Sequence, residues 1–276
     1  MRYRFLNNLK EHLHQLSENG EDWKNLTGTS SVGSVLARPL TWWAAGMAVG
    51  KLGWLNPKKY TPEECAVACE EGLDRIKSLE RDEFAKLLNE AYRAHNERKN
   101  EAAEEGINLH SELEKYVKSQ MGIMQEMSVE LLPKIQPFVV WAKVNVKKFL
   151  WSEAHCYSEK LWVGGVSDAG AELNDGRIAV IDFKSSKEVY SSQFLQAAGY
   201  AIQIEENGLF DISGKRTKKI GKKISSLIIV PFGAEEIVPE TRNDYEVDEY
   251  KKGFEAAVQL YRLLGLEKNI NAYRNK

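Results

Sequence analysis

Cysteine is scarce in this chain, with three in 276 residues, at positions 65, 69 and 156. So few, and an odd number, exclude a disulfide framework and point to reduced thiols in a cytosol-like compartment. An excess of one charge is lacking as well: 38 Lys and Arg face 40 Asp and Glu, a net charge of −2. That balance excludes a wholly basic nucleic-acid coat protein and an acidic disordered tail. A membrane span needs about 20 apolar residues, and the longest apolar stretch, 39–50, is held between Arg38 and Lys51. It is expected to be a core helix. At the start, Lys10, Glu11 and His12 break the sequence before any apolar run of secretory length, so no targeting segment is expected. No internal repeat and no low-complexity tract is present. What remains, 43% hydrophobic and 28% charged residues, describes an ordinary soluble globular protein with material for a core.

Two textures divide the sequence. Through about Gln120 the pattern is helical, and 62–105 holds thirteen Asp and Glu against seven Lys and Arg, read as the solvated faces of long helices. Beyond Val144 the period shortens. Strands are expected from Lys148, from Lys160 to Val166 around Gly164-Gly165, over 177–183 and over 224–230; helices over 191–206 and 245–264. Asn207-Gly208 is a C-cap signal. The order implies a mixed sheet flanked by helices, with residues 1–100 a helical N-terminal region packed on the core, 101–276.

Asp182-Phe183-Lys184 ends the apolar strand over 177–183, and strand period two sets Asp182 and Lys184 on one face. The hairpin signal Leu173-Asn174-Asp175-Gly176 precedes that strand. A three-residue loop, 174–176, pairs Leu173 with Arg177 and, in the same register, Asp168 with Asp182; a two-residue loop separates them. Neighbouring carboxylates repel unless a cation lies between them, and a hard divalent ion with oxygen ligands, Mg²⁺ or Mn²⁺, resolves the conflict. A plain salt bridge of Lys184 with a carboxylate is the other reading, and from these three residues alone the two stand level.

Taken together, Glu153, Gly164-Gly165-Val166-Ser167-Asp168, Ile181-Asp182-Phe183-Lys184-Ser185-Ser186 and Gln196-Ala197-Ala198-Gly199-Tyr200 resemble the PD-(D/E)XK nuclease superfamily, in its RecB-type exonuclease branch. Gly106-Ile107-Asn108-Leu109-His110 resembles the branch's upstream histidine motif, and Ser30 to Leu36 followed by Trp43-Ala44-Ala45 is similar to the N-terminal lead of phage-type members. The likeness spans about residues 27–265, and Ser167 stands where the superfamily's name has proline. It implies an α/β (α+β) restriction-endonuclease-like core and a Mg²⁺- or Mn²⁺-dependent deoxyribonuclease. This enzyme would hydrolyse phosphodiesters of linear or single-stranded DNA ends by attack of a metal-activated water, in recombination, repair or replication. His110, Asp168, Asp182 and the carbonyl of Phe183 are the implied metal ligands, Lys184 the catalytic lysine, and Glu153 an acid near the metal. Gln196 and Tyr200 are implied to hold DNA and brace the site. Relatives with an iron–sulfur cluster use four cysteines, so none is expected here. A bacterial or phage-infected cytoplasm is the expected setting, with recombination or replication proteins as partners, an oligomer allowed, and no membrane. A non-catalytic DNA-binding subunit and a structure-specific endonuclease are the alternatives.

DNA contact is assigned to the densest basic run, Lys215, Arg216, Lys218, Lys219, Lys222 and Lys223, with Lys143, Lys147 and Lys148 a second patch. The competing reading of the run is a solvated loop guarding a sheet edge. Trp42, Trp43, Trp151 and Trp162 are expected in the core, and His12, His14, His95 and His155 are expected to be incidental.

Overall fold

The computed structural model describes residues 1–7, 12–36, 41–123, 135–233 and 237–266. It divides into two compact units, residues 38–105 and the remainder, 1–37 with 106–276. The segment 1–37, expected in a helical region, therefore belongs with the larger unit, and four of its segments are strands: β1 (Arg2–Asn7), β2 (His12–Ser17), β3 (Lys24–Asn25) and β4 (Thr27–Gly28). The alternation Arg2-Tyr3-Arg4-Phe5 has the period of a strand. β1, β2 and β3 form a small antiparallel sheet in which Phe5 pairs with His14. α1 (Thr29–Val32) and a 3-10 turn (Gly33–Leu36) follow.

The smaller unit is helical. α2 (Thr41–Gly50) and α3 (Pro62–Lys77) lie within it, and α4 (Arg81–Gln120) begins in it and belongs to the larger unit from Gly106 onward. α3 starts with a reciprocal capping box between Thr61 and Glu64 and with Pro62 at its first turn. α2 is helical as expected but is not a core helix: none of its residues is buried, and Trp42 is 90% exposed. A helix that is apolar on every side needs neighbours on every side, and a small unit whose other helices carry outward carboxylates does not supply them. Residues 39 and 40 of that stretch lie outside the described residues.

The larger unit is a mixed sheet between two helical layers. After α5 (Gln136–Asn145) come β5 (Val146–Ser158), β6 (Val163–Leu173) and β7 (Ile178–Lys184), an antiparallel meander. Next follow α6 (Ser191–Asn207), β8 (Leu209–Phe210), β9 (Arg216–Lys218), β10 (Ile224–Pro231), β11 (Glu240–Asn243) and α7 (Tyr245–Leu263). The sheet order is β11-β10-β7-β6-β5-β8-β9, with β10 parallel to β7 and β4 parallel to β6. α6 ends at Gly208 as the sequence signals, the glycine N–H bonding back to the Ile204 carbonyl. Lys160–Trp162 are a turn, and β6 runs unbroken through Gly164-Gly165.

On one face Leu113, Val117, Phe138, Ile181 and Phe183 form a core with α4 and α5; on the other, Val180, Leu227 and Ile229 pack with Phe194 and Ile204 of α6. Each fully buried aliphatic side chain contributes about 1.5–3 kcal/mol. β7 is buried along its whole length up to Lys184, which makes it the central strand expected from its apolar sequence. Among the described residues no helix is long and apolar enough to cross a membrane.

His14 is not incidental. Its Nδ1 lies 2.5 Å from Tyr3 Oη, and its ring faces those of Phe5 and His155. Burial, with His155 beside it, pushes its pKa down from 6.5 to about 3. The unfolded chain therefore binds a proton between pH 6.5 and 3 that the folded chain refuses, and stability falls as pH drops through that window. Urea midpoints at pH 7, 5 and 4 should fall more steeply for the wild type than for His14→Leu. Equal slopes would rule out this histidine as the cause.

Candidate metal centre

Two registers meet at one level of the sheet. β6 and β7 pair as Ala169↔Ile181, Gly170↔Val180, Ala171↔Ala179 and Glu172↔Ile178, and the Leu173 N–H donates to the Arg177 carbonyl at 2.9 Å. This is the register of the three-residue loop, and its next step sets Asp168 opposite Asp182. β5 and β6 pair as Ser152↔Ala169 and Ala154↔Ser167, so Glu153 faces Asp168 from the other side. Three adjacent strands thus place three carboxylates in a row. Like charges directly opposite on a sheet are destabilising, and the row persists because the cores above and below fix the strands.

Glu153 carries a second sign of constraint. Its φ is +46°, in the left-handed region inside a strand, a conformation that costs about 1–3 kcal/mol for a non-glycine residue. It also lets β5 turn the Glu153 side chain towards Asp168.

The fourth member comes from far upstream. α4 buries Leu109, Leu113 and Val117, leaving His110 at the edge of that stripe, its ring edge-on to Phe183 at 5.8 Å. His110 Nε2 lies 3.1 Å from Asp168 Oδ2, and Nδ1 lies 3.6 Å from Glu153 Oε1. His110, Glu153 and Asp168 each offer a ligand atom, all within 4.8 Å of one another. Asp182 is outside that trio. Its side chain is 1% exposed, and Lys184 Nζ approaches Oδ2 at 2.7 Å. The approach makes a close ion pair at Oδ2, and Oδ1 has no hydrogen-bond partner. The backbone of Phe183 is also drawn in, its N–H donating to Asp168 Oδ2 at 2.7 Å.

The electrostatics follow from this crowding. The hydrogen bond to Asp168 raises His110 to about 9 against the opposing effect of burial, with the charges of Asp168, Glu153 and Asp182 adding to it. Burial, then the charge of Asp168, raises Glu153 to about 7. Burial also lifts Asp182 to about 6, while Lys184 pulls it back. Burial opposes the charge on Lys184, but Asp182 and Asp168 outweigh it and hold the ammonium above its ordinary value. Tyr200, buried on α6, is pushed well up by burial and by the same two aspartates.

Gln196 and Tyr200, one helical turn apart, are joined by a 2.8 Å bond from Nε2 to Oη. Gly165 explains part of the Gly-Gly motif: a Cβ there would lie 2.7 Å from both the Tyr200 ring and Thr29 Oγ1. β6 pairs with β7 over 169–172 and with β4 over 163–164, so Asp168 stands at the fork where β6 leaves β7. A cleft of about 580 Å³ is lined by Val166, Gly165, Gln196, Tyr200, Thr29 and Trp162.

The basic run is divided. Lys222 pairs with Glu172 at 3.6 Å and Lys223 with Asp248 at 2.7 Å, whereas Lys215, Arg216, Lys218 and Lys219 are exposed on and around β9. In the second patch, Lys147 pairs with Glu172 at 3.2 Å. Trp151 is buried as expected and donates its indole N–H to Ser167 Oγ, giving the residue in the proline's place a structural partner. Two neighbours of the site were not identified from the sequence: Glu114 and Lys118, an ion pair on α4 whose charges act on Glu153. Their spacing of four and eight residues from His110 was the available signal. The side chains of 106–108, part of the histidine motif, lie outside the described residues. No family model matches the chain, and no curated protein matches it.

Proposed function

We propose that this chain is a metal-dependent DNA exonuclease with a PD-(D/E)XK core of RecB type, cleaving phosphodiesters at the Glu153–Asp168–Asp182 row. The observation that carries this reading is the convergence of His110 on that row with Lys184 ion-paired to its innermost carboxylate. The donor set fits a hard divalent cation. Three carboxylates supply oxygen ligands of the kind Mg²⁺ and Mn²⁺ prefer, and Asp182 keeps one buried oxygen, Oδ1, without a partner. His110, Glu153 and Asp168, whose ligand atoms lie within 4.8 Å of one another, would hold the ion, with Asp182 and the Phe183 carbonyl, which the resemblance implies as ligands, beside them. A divalent cation bound there supplies Lewis acidity towards a phosphoryl oxygen and a water.

The chain's own groups do the rest. Lys184, fixed by Asp182, presents an ammonium where negative charge grows on the phosphate. Phe183 N–H and His110 Nε2 both converge on Oδ2 of Asp168 and orient that carboxylate. Gln196 and Tyr200 line the cleft, whose volume is within the range that holds a small ligand, and the charges of Asp182 and Asp168 reach Tyr200.

Labelled linear and circular DNA incubated with Mg²⁺, then with EDTA added, tests this directly. The linear form is expected to shorten, the circular form to persist, and EDTA to stop the loss. Binding without degradation would instead identify a non-catalytic DNA-binding module, and cutting of circles a structure-specific endonuclease.

A further inference from the structure

We infer that a second, basic and aromatic groove at the sheet's far edge binds the phosphate backbone of single-stranded DNA leading away from the carboxylate row. The groove, of about 610 Å³, is lined by Arg2, Arg4, Lys215 and Arg216 together with Trp23 and Tyr157. Its choice of nucleic acid rests on the nuclease reading; its existence rests on geometry alone.

Strand period two puts Arg2 and Arg4 on the same face of β1 while Tyr3 turns inward, stacking on Tyr157 at 4.8 Å. The other two cations arrive at the end of the turn between β8 and β9, Lys215 on the turn and Arg216 opening β9. Asp211 Oδ1 accepts the N–H groups of Ser213 and Lys215 and the Ser213 hydroxyl, so the nearest carboxylate is occupied in shaping the turn. Gly214 sits at φ +80°, and a Cβ on it would lie 2.1 Å from the Tyr3 carbonyl oxygen. Only glycine lets the turn dock this closely against β1, and that docking brings Lys215 beside Arg4.

Four cations therefore converge, and none of them has a carboxylate within ion-pair distance among the described residues. Arg4 is braced by Gln15 and lies 4.0 Å over the half-buried ring of Trp23; Arg216 lies 5.5 Å over Phe210. Guanidinium groups held over rings, beside a partly open indole, form the combination that tracks a single strand: charge for the backbone and π-faces for bases. A protein of net charge −2 keeps such a cluster at a cost in self-repulsion. Lys222 and Lys223, further along the same sequence run, are paired with Glu172 and Asp248, unlike Lys215 and Arg216 in the groove. Tyr157 stands four residues beyond Glu153 on β5, about 13 Å along a strand, so a strand crossing the row reaches the groove within a few nucleotides.

The test is anisotropy of a labelled oligo-dT in EDTA, at a series of salt concentrations, with the full chain. Arg2→Ala/Lys215→Ala removes two exposed side chains without touching the Trp23 or Phe210 stacks. It is expected to weaken binding about tenfold and to reduce the slope of log K against log salt by ~0.7 for each phosphate no longer neutralised. Gly214→Ala, which changes no charge, is expected to weaken binding by undocking the turn. Lys77→Ala/Lys252→Ala removes the same charge from ion-paired surface sites and serves as the control. Equal affinity and slope in Arg2→Ala/Lys215→Ala and this control overturn the groove. If the groove variant binds like the wild type while linear DNA is still degraded, the groove alone falls; if the wild type neither binds nor degrades DNA, the nuclease reading falls with it.

Discussion

Lys184→Ala is expected to lose about 10²- to 10³-fold in cleavage rate, the cost of removing one preorganised charge-stabilising donor, while still folding and binding DNA. The fold survives for a physical reason. Removing one partner of a buried ion pair usually leaves an uncompensated charge and costs several kcal/mol. Here the abandoned group is Asp182, whose pKa burial already raises to about 6. Without Lys184 it rises further, and at neutral pH the carboxyl takes up a proton instead of standing charged in the core. Cleavage with Mg²⁺, anisotropy on the same DNA and circular dichroism separate the three properties. Undiminished cleavage would remove Lys184 from the chemistry.

Asp168→Asn is expected to abolish the stabilisation of the protein by Mn²⁺. Asp168 is the centre of the row, opposite Glu153 on one strand and Asp182 on the other, and it contacts His110. Asparagine keeps an acceptor for the Phe183 N–H and removes the charge. Repulsion along the row is relieved while the charge that holds His110 protonated is lost, two opposing effects on the metal-free melting temperature. In the wild type a cation at one hundred times its dissociation constant adds about 2.7 kcal/mol, and that increment should vanish in the variant. Loss of a group that merely supports a ligand costs about 10- to 100-fold in metal affinity, and loss of a direct ligand costs no less. Thermal melts with and without Mn²⁺ read both effects. A wild-type increment in Asp168→Asn would place the cation elsewhere.

Much of this site was legible before any coordinates, because it depends on short-range chain geometry. The loop 174–176 closes a hairpin, and its length fixes which residue of β6 meets which residue of β7, so the Asp168–Asp182 pairing and the placing of Lys184 beside Asp182 follow from a few local residues. The same holds for α6, started after Tyr190 and stopped by Gly208, and for the central position of β7, whose residues are apolar on both faces.

Other features depend on packing between segments distant in sequence. Glu153 joins the row only because β5 carries two register shifts before it and a left-handed residue at it, and nothing in its neighbours announces either. His110 reaches Asp168 because α4 buries Leu109, Leu113 and Val117 against the sheet, which sets the helix's rotation. Hydropathy placed Trp42 in a core, but burial requires a covering surface that α2 does not have. The basic run gave the positions of its cations; only the fold separated Lys222 and Lys223, paired with carboxylates, from Lys215 and Arg216, left open beside Arg2 and Arg4. Sequence determined what local backbone closure and side-chain period can set; which charges are satisfied, and which polar atoms are left buried without a partner, was decided where strands and helices distant along the chain come to rest against one another.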